Sequence, residues 1–489
     1  MRAVHLVPAG VVLLALGAIG AASLDRPPTS PNPAAVTRRA TVTAAARACP
    51  PALGGGTGTV ALIAGPAGTG GSGQTELASL PPAGVQLQPA AAISAKSPGA
   101  LELLSVPAAS STSGKGGKGT KGTSEPTGWS VTASGTMAQA MEAEVAQSSG
   151  LASLRCGEPG SDVSFVGPGQ QNGAAQIQLE LMNIDSLAAT VDVGLITDAG
   201  PVQAGNDTGI TVPPHETVTE SLSSAAGNSS VVAIEVHTSS GRVAADVSEG
   251  GSTRGSTTSW LPSAAEPSTQ LVIPGVPPSS HAELFLTVPG TTDAKVNVLA
   301  ITPQGQYRPY GAQPVDLPGQ SASSMALTPL GGTAAAIEIT ANVPVTATVL
   351  VPGSGVGAVT TATGPVSEQA VVAGNISGSG FTPSVVLSAP AGAARVRLTE
   401  ISASAGSPAS QLVSVHAGRT LMVSVTAPPG AKRGAAFAVV ITPLAGSGPL
   451  YAARVETQNQ SIVSIIPAAS ALTTISLPPV RDSYDAIAP

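Results

Sequence analysis

Aromatic side chains are scarce in this sequence: Phe, Tyr and Trp together make up 2% of 489 residues. A buried core must therefore rest on Val, Ile, Leu and Ala, and apolar residues at 42% supply it amply. Charge is sparse as well, at 10% of residues with a formal net charge of −7. No basic stripe with interleaved aromatic residues occurs, which argues against nucleic acid as a partner. Cysteine is limited to Cys49 and Cys156, without further ligands nearby to suggest a metal site.

Chemistry-bearing motifs are missing too. The five histidines are His5, His215, His237, His281 and His416. His215-Glu216 has no second histidine four residues after the first, so the zinc-protease pattern fails. One repeat length beyond His215 stands Gln320, so no histidine recurs there, and His215 and His416 read as exposed turn residues. No Gly-x-Ser-x-Gly elbow stands at a strand-to-helix turn, and no acidic loop has calcium-binding spacing. The tract Ser113 to Gly122 contains Gly114-x-Gly116-x-x-Gly119, yet no strand leads through it into a helix. That tract reads as a solvated basic loop. Glu142 and Glu144 alternate with Ala143 and Val145, which places them on the outward face of a strand. No catalytic, cofactor-binding or metal-ligating residue is nominated, and no cofactor is implied.

What is present is period-two alternation. Segments of four to seven apolar-alternating residues recur between Gly, Pro, Asn and Asp clusters, the sign of half-buried antiparallel strands. Gly (57) and Pro (44) together form about a fifth of the chain, which suits many short strands and tight turns. The clearest stretch runs from Phe165 to Val247, through Ile177, Leu179, Leu181, Val191 and Val193 to Ile234-Glu235-Val236. Asp192, Glu235 and Asn297 take the interleaved positions.

This stretch repeats. Leu284, Leu286 and Val288 stand 105 residues after Leu179, Leu181 and Asn183, and Val296, Gly305 and Pro318 stand 105 after Val191, Gly200 and Pro213. Trp129 to Ala133 precedes Ile234 to Thr238 by the same 105. Several landmarks at one shift imply an internal repeat. The expected organisation is a hydrophobic segment over 1–24, a Pro-rich tether over 25–48, a degenerate first repeat with its Gly/Lys loop over 49–157, further repeats over 158–250, 268–353 and 368–477, and a tail over 478–489. The expected fold is all-β, with tandem immunoglobulin-like sandwiches of about 105 residues. The alternative is a β-propeller with two blades per repeat.

The N-terminus pairs Arg2 with a mainly apolar run from Val7 to Leu24, a signal peptide or signal anchor. Gly20-Ala21-Ala22 offers a cleavage site, and no cysteine follows directly to carry a lipid. An even cysteine pair in an exported chain reads as one Cys49–Cys156 disulfide that staples the eroded first repeat. Two free buried thiols are the alternative.

The order Phe-Val-Gly, Leu-x-Leu-x-Asn, Ala-x-Val-x-Val, Val-Pro-Pro and Gly-Arg-Val-x-Ala resembles an uncharacterised family of actinobacterial exported proteins, a domain of unknown function. Its members carry an N-terminal hydrophobic segment and tandem β-sandwich-like repeats. The resemblance covers most of residues 45–460 and implies no catalytic residues. Val288 departs from it where the second repeat has Asn183. The expected function is a non-catalytic envelope scaffold, extracellular or membrane-anchored through an uncleaved N-terminus. Its expected partner is a cell-wall glycan or an envelope protein. An accessory subunit or secreted enzyme acting on wall glycans is the alternative.

Overall fold

The computed structural model describes residues 38–477, apart from 54–56, 66–71, 86–96, 108–127, 148–152, 203–207, 252–257, 279–280, 311–313, 328–329, 353–356, 379 and 405. The N-terminal hydrophobic segment, the Gly/Lys tract and the tail 478–489 lie outside the described residues. Strand β1 (Arg38–Thr41) pairs antiparallel with the last strand, β34 (Thr474–Leu477), in a ribbon of its own. Residues 42–473 form the main body.

The first repeat holds β2 (Ala44–Cys49), β3 (Thr57–Ile63), β4 (Thr75–Leu80), β5 (Leu101–Pro107), β6 (Gly128–Ser134), β7 (Glu142–Gln147) and β8 (Ser153–Arg155). It therefore begins within the stretch read from sequence as tether. Its strands form two sheets, ordered β2-β6-β4 and β5-β3-β7-β8.

The second repeat has β9 (Asp162–Pro168), β10 (Ala174–Met182), β11 (Ala189–Thr197), β12 (Gly200–Val202), β13 (Ile210–Val212), β14 (Thr217–Ser221), β15 (Val231–Ser240), β16 (Ala244–Gly251) and β17 (Thr258–Leu261). The same plan returns: β9, β15 and β11 share one sheet, and the other runs β14-β10-β16-β17.

In the third repeat the strands are β18 (Ser268–Val276), β19 (Glu283–Val288), β20 (Ala294–Thr302), β21 (Gly305–Tyr307), β22 (Val315–Leu317), β23 (Ser321–Ala326), β24 (Ala335–Val351) and β25 (Ala358–Thr361). Here one 17-residue strand replaces the β15–β16 pair. Its first half pairs with β18 and β20, and its second half with β19 and β25, so it passes from one sheet to the other.

The fourth repeat has β26 (Ala370–Asn375), β27 (Phe381–Ala389), β28 (Ala394–Ser402), β29 (Ala409–Val415), β30 (Arg419–Ser424), β31 (Phe437–Pro443), β32 (Tyr451–Gln458) and β33 (Ser461–Pro467). Its sheets run β26-β31-β28-β29 and β30-β27-β32-β33.

Each repeat is thus a two-sheet β-sandwich in which the chain passes back and forth between the sheets, strictly so from β2 to β7 in the first repeat. Propeller blades are single four-stranded sheets set radially. A repeat whose neighbouring strands fall in different sheets does not fit that plan, and the sandwich expectation holds.

The repeated landmarks have physical causes. Gly200 and Gly305 adopt φ of +105° and +142° at the turn into β12 and β21. The hydroxyls of Thr197 and Thr302 donate to their carbonyls at 3.1 and 2.9 Å. Strands β5, β14, β23 and β30 are each preceded by a left-handed residue: Gly99, His215, Gln320 and Gly418, with φ from +52° to +74°. His215 is therefore an exposed turn residue. Asn183 is fully buried and donates to the carbonyls of Leu187 and Val212 while accepting from Asp185 N. Val288 replaces this polar pin with packing in the third core.

Both faces of many strands are covered. The core of the second repeat takes in Phe285, Ala322, Leu350 and Val359 from the four-stranded sheet of the third. The core of the third takes in Val386, Ala453, Val455 and Ile465 from the corresponding sheet of the fourth. Met182, Ala244 and Trp260 of the second repeat pack on the first. The series then closes, because Ala61, Ile63 and Leu101 of the first repeat pack on Val371, Ala373, Ile401 and Ala438 of the fourth. Small aliphatic side chains allow these sheet faces to approach closely, and burial of such surface stabilises by about 25 cal/mol per Å².

Glu142 and Glu144 correct the expectation of an outward, solvated face. Both are buried, at 2% and 3% exposure. Glu142 pairs with Arg47 and Arg155 inside the first repeat. Glu144 crosses to Arg454 in the fourth, 2.5 Å away. The outward face of β7 is a contact surface, so its carboxylates need buried cations.

Candidate functional site

A cavity of about 630 Å³ lies where the four repeats meet. The first repeat supplies Leu154, Arg155, Gly157 and Glu158, and the second supplies β9, β15 and Asp246. The segment Pro262–Pro267, then Thr361–Gly364 of the third repeat and Ile465–Pro467 of the fourth complete the wall. Its volume lies within the range of ligand sites.

The wall of the first repeat is held by the disulfide. Cys49 and Cys156 are bonded, with Cα atoms 4.4 Å apart, and Cys156 sits between the lining residues Arg155 and Gly157. Arg155 grips Glu142 at both carboxylate oxygens, at 2.8 and 2.5 Å. Arg47 reaches Glu142 at 3.1 Å and Glu158 at 2.8 Å. Burial pushes the Glu142 carboxyl up, but the charges and hydrogen bonds of Arg155 and Arg47 outweigh it and hold the pKa below 4.5.

On β15, His237 Nδ1 lies 2.7 Å from Asp162 Oδ1 on β9. The Ser161 hydroxyl donates to Asp162 Oδ2 at 2.6 Å. The hydrogen bond and charge of Asp162 raise the His237 pKa, while the hydrogen bonds from Ser161 and His237 lower that of Asp162. Serine, aspartate and histidine are in contact, but the serine bonds the carboxylate rather than the imidazole. A nucleophile relay needs the imidazole between the other two.

Two further carboxyls are pushed the other way. Burial raises Glu235 on β15. Burial, and then the Glu180 charge, raise Asp246 on β16 well above the ordinary range. Glu180 stands opposite Asp246 in the β10–β16 register and is itself raised to about 7 by burial. Asp246 is 3% exposed and its Oδ2 has no hydrogen-bond partner. Five carboxyl groups therefore line the cavity, from Glu158, Asp162, Glu235, Asp246 and Glu266. The facing basic groups are Arg155, engaged with Glu142, and His237, engaged with Asp162. Among the described residues no three His, Cys, Asp or Glu converge to hold a metal ion.

Sequence reasoning found the disulfide and the placement of His215. It did not single out Asp162, Asp246 or Arg454. Arg454 leaves a signal in hindsight, as a lone charge inside the otherwise apolar Ala452-Ala453-Arg454-Val455.

Compared with known families, residues 108–426, about two thirds of the chain, match the model of a Family of unknown function (DUF5719). The chain belongs to the DUF5719 family. The DUF5719 match opens between β5 and β6, spans the second and third repeats and ends just after β30. It thus includes the β9, β15 and Pro262–Pro267 walls of the cavity but not Cys49 or Arg454. No curated protein matches the chain.

Proposed function

We propose that this protein is an exported, non-catalytic binding scaffold of the cell envelope. The observation that carries the reading is the junction cavity, whose wall is drawn from all four repeats. Four sandwiches closed on one another hold such a wall more rigidly than a string of separate modules. The disulfide supports an oxidising compartment, since such bonds are rare where thiols are kept reduced. The apolar run from Val7 to Leu24 supplies the export signal, or an anchor where it stays uncleaved. Among the described residues no helix is long and apolar enough to cross a membrane.

Its partner is an envelope protein or a wall glycan. For a glycan, the surface of interest is the third repeat, where Tyr307 and Tyr310 are 36% and 87% exposed around Arg308. Exposed rings offer the flat apolar faces on which sugars stack. Cell fractionation with N-terminal sequencing of the mature chain tests the proposal. Recovery in the envelope or medium supports it, whereas an uncleaved, thiol-reduced chain in the cytosol would overturn it.

The secreted-enzyme alternative has one observation in its favour. Asp162 is shifted down and Glu235 up, and carboxyls pushed apart in this way suit acid–base work on glycans. Turnover of purified wall glycan that disappears in Glu235→Gln would favour the enzyme over the scaffold.

A further inference from the structure

The cavity carries an imbalance that the scaffold reading does not by itself explain. Five carboxyl-bearing residues line it, and the two basic side chains beside them already have partners. Asp246 is deeply buried, yet Oδ2 has no donor or acceptor. Leaving a buried polar atom unpaired is destabilising, and a ligand bearing N–H groups would relieve it. Apolar walls at Val163, Val236, Ile465 and Ile466 lie between these groups, suited to the methylene stems of lysine or arginine.

The backbone narrows the class of ligand. Strands β8, β9, β25 and β33 all contribute to the wall. Each is terminal in its sheet, although the edge of β9 is already bridged at Ser164, whose carbonyl accepts from Ala264 N at 2.8 Å. The open edges are those of β8, β25 and β33. Terminal strands offer main-chain groups to an added segment, the mode by which extended peptides bind sheet edges. A free polyamine would use the carboxylates but not these edges.

We propose that the junction cavity binds an extended peptide segment bearing lysine or arginine, with Glu235 and Asp246 receiving the cationic side chain. The inference rests on the scaffold reading and names the partner's chemistry. Charge pairs at the exposed rim make the interaction salt-sensitive there, while buried Asp246 offers Oδ2 as a hydrogen-bonding partner. The peptide is a segment of an envelope protein, since the glycan chains themselves carry no such backbone.

Calorimetry on the mature, oxidised chain tests this with the peptide acetyl-Val-Lys-Val-Lys-Val-amide and its norleucine and glutamate counterparts. The lysine peptide should bind on the order of tenfold or more tightly than the norleucine peptide, with the glutamate peptide silent. Glu235→Gln and Asp246→Asn should each remove most of that preference. Where a variant fails to fold, the three peptides compared on the unaltered chain still decide. Equal binding of lysine and norleucine peptides, or binding of spermidine without the lysine peptide, overturns the inference. An envelope-located chain that binds no lysine peptide overturns it too, while leaving the scaffold reading intact.

Discussion

Glu144 in the first repeat and Arg454 in the fourth form an ion pair across 310 positions of sequence, with both side chains almost fully buried. The guanidinium also donates to Ser153 and Ser464, and Glu144 accepts from Gly374 N at 3.1 Å. Burial alone would lower the Arg454 pKa, yet Glu144 and Glu456 raise it, so the charge is held in place. The polar cluster sits where the last repeat returns to the first. It fixes which surfaces meet there, since removing one partner leaves the other charged and dry.

Arg454→Met should therefore destabilise the main body by about 3–5 kcal/mol. The double variant Glu144→Gln/Arg454→Met should recover much of the loss, because no buried charge is then left alone. Urea unfolding of the single and double variants measures both effects, and an unchanged midpoint for Arg454→Met would contradict this role.

The disulfide spans 107 residues. Constraining a loop of that length in the unfolded chain contributes roughly 4–5 kcal/mol in the chain-entropy account. Cys49→Ser/Cys156→Ser should lower the thermal midpoint and loosen the Gly157–Glu158 wall of the cavity. Hydrogen exchange at 155–160 should rise before exchange in β28 or β31 does.

Stability should fall as pH rises. Burial pushes Glu249 from 4.5 to about 8, and Glu180 and Glu456 to about 7. For each, the folded state holds a proton that the unfolded chain releases near 4.5. The stabilisation is complete below that pH and is lost as pH climbs to the folded values. Glu249 has both oxygens unpaired and alone should account for a few kcal/mol across that window, roughly, at 1.36 kcal/mol per unit. Glu142 acts in the opposite sense, losing its contribution on acidification below 4.5. Thermal midpoints from pH 4 to 9 should decline toward the alkaline end, with a shallower decline in Glu249→Gln.

His215 and Gln320 occupy left-handed positions where the first and fourth repeats have Gly99 and Gly418. His215→Gly and Gln320→Gly should leave stability unchanged or slightly raised. His215→Val should cost about 1–2 kcal/mol, since a branched side chain crowds the following carbonyl there. Urea midpoints of the three variants check the ordering.

Much of this molecule could be read from one dimension. Period-two alternation is a local property, and so are the turns that Gly200 and Gly305 impose. The 105-residue shift and the sandwich plan follow from them, while the pairing of Cys49 with Cys156 is legible from their number in a chain read as exported. What surrounds the outer face of each sheet is not local. Glu144 looks solvated in sequence because only the return of the fourth repeat covers β7, and the cavity draws its carboxyls from strands and linkers far apart in the chain. Side-chain alternation determined the sandwiches; the closure of four of them on one another decided which charges were buried and where a ligand could enter.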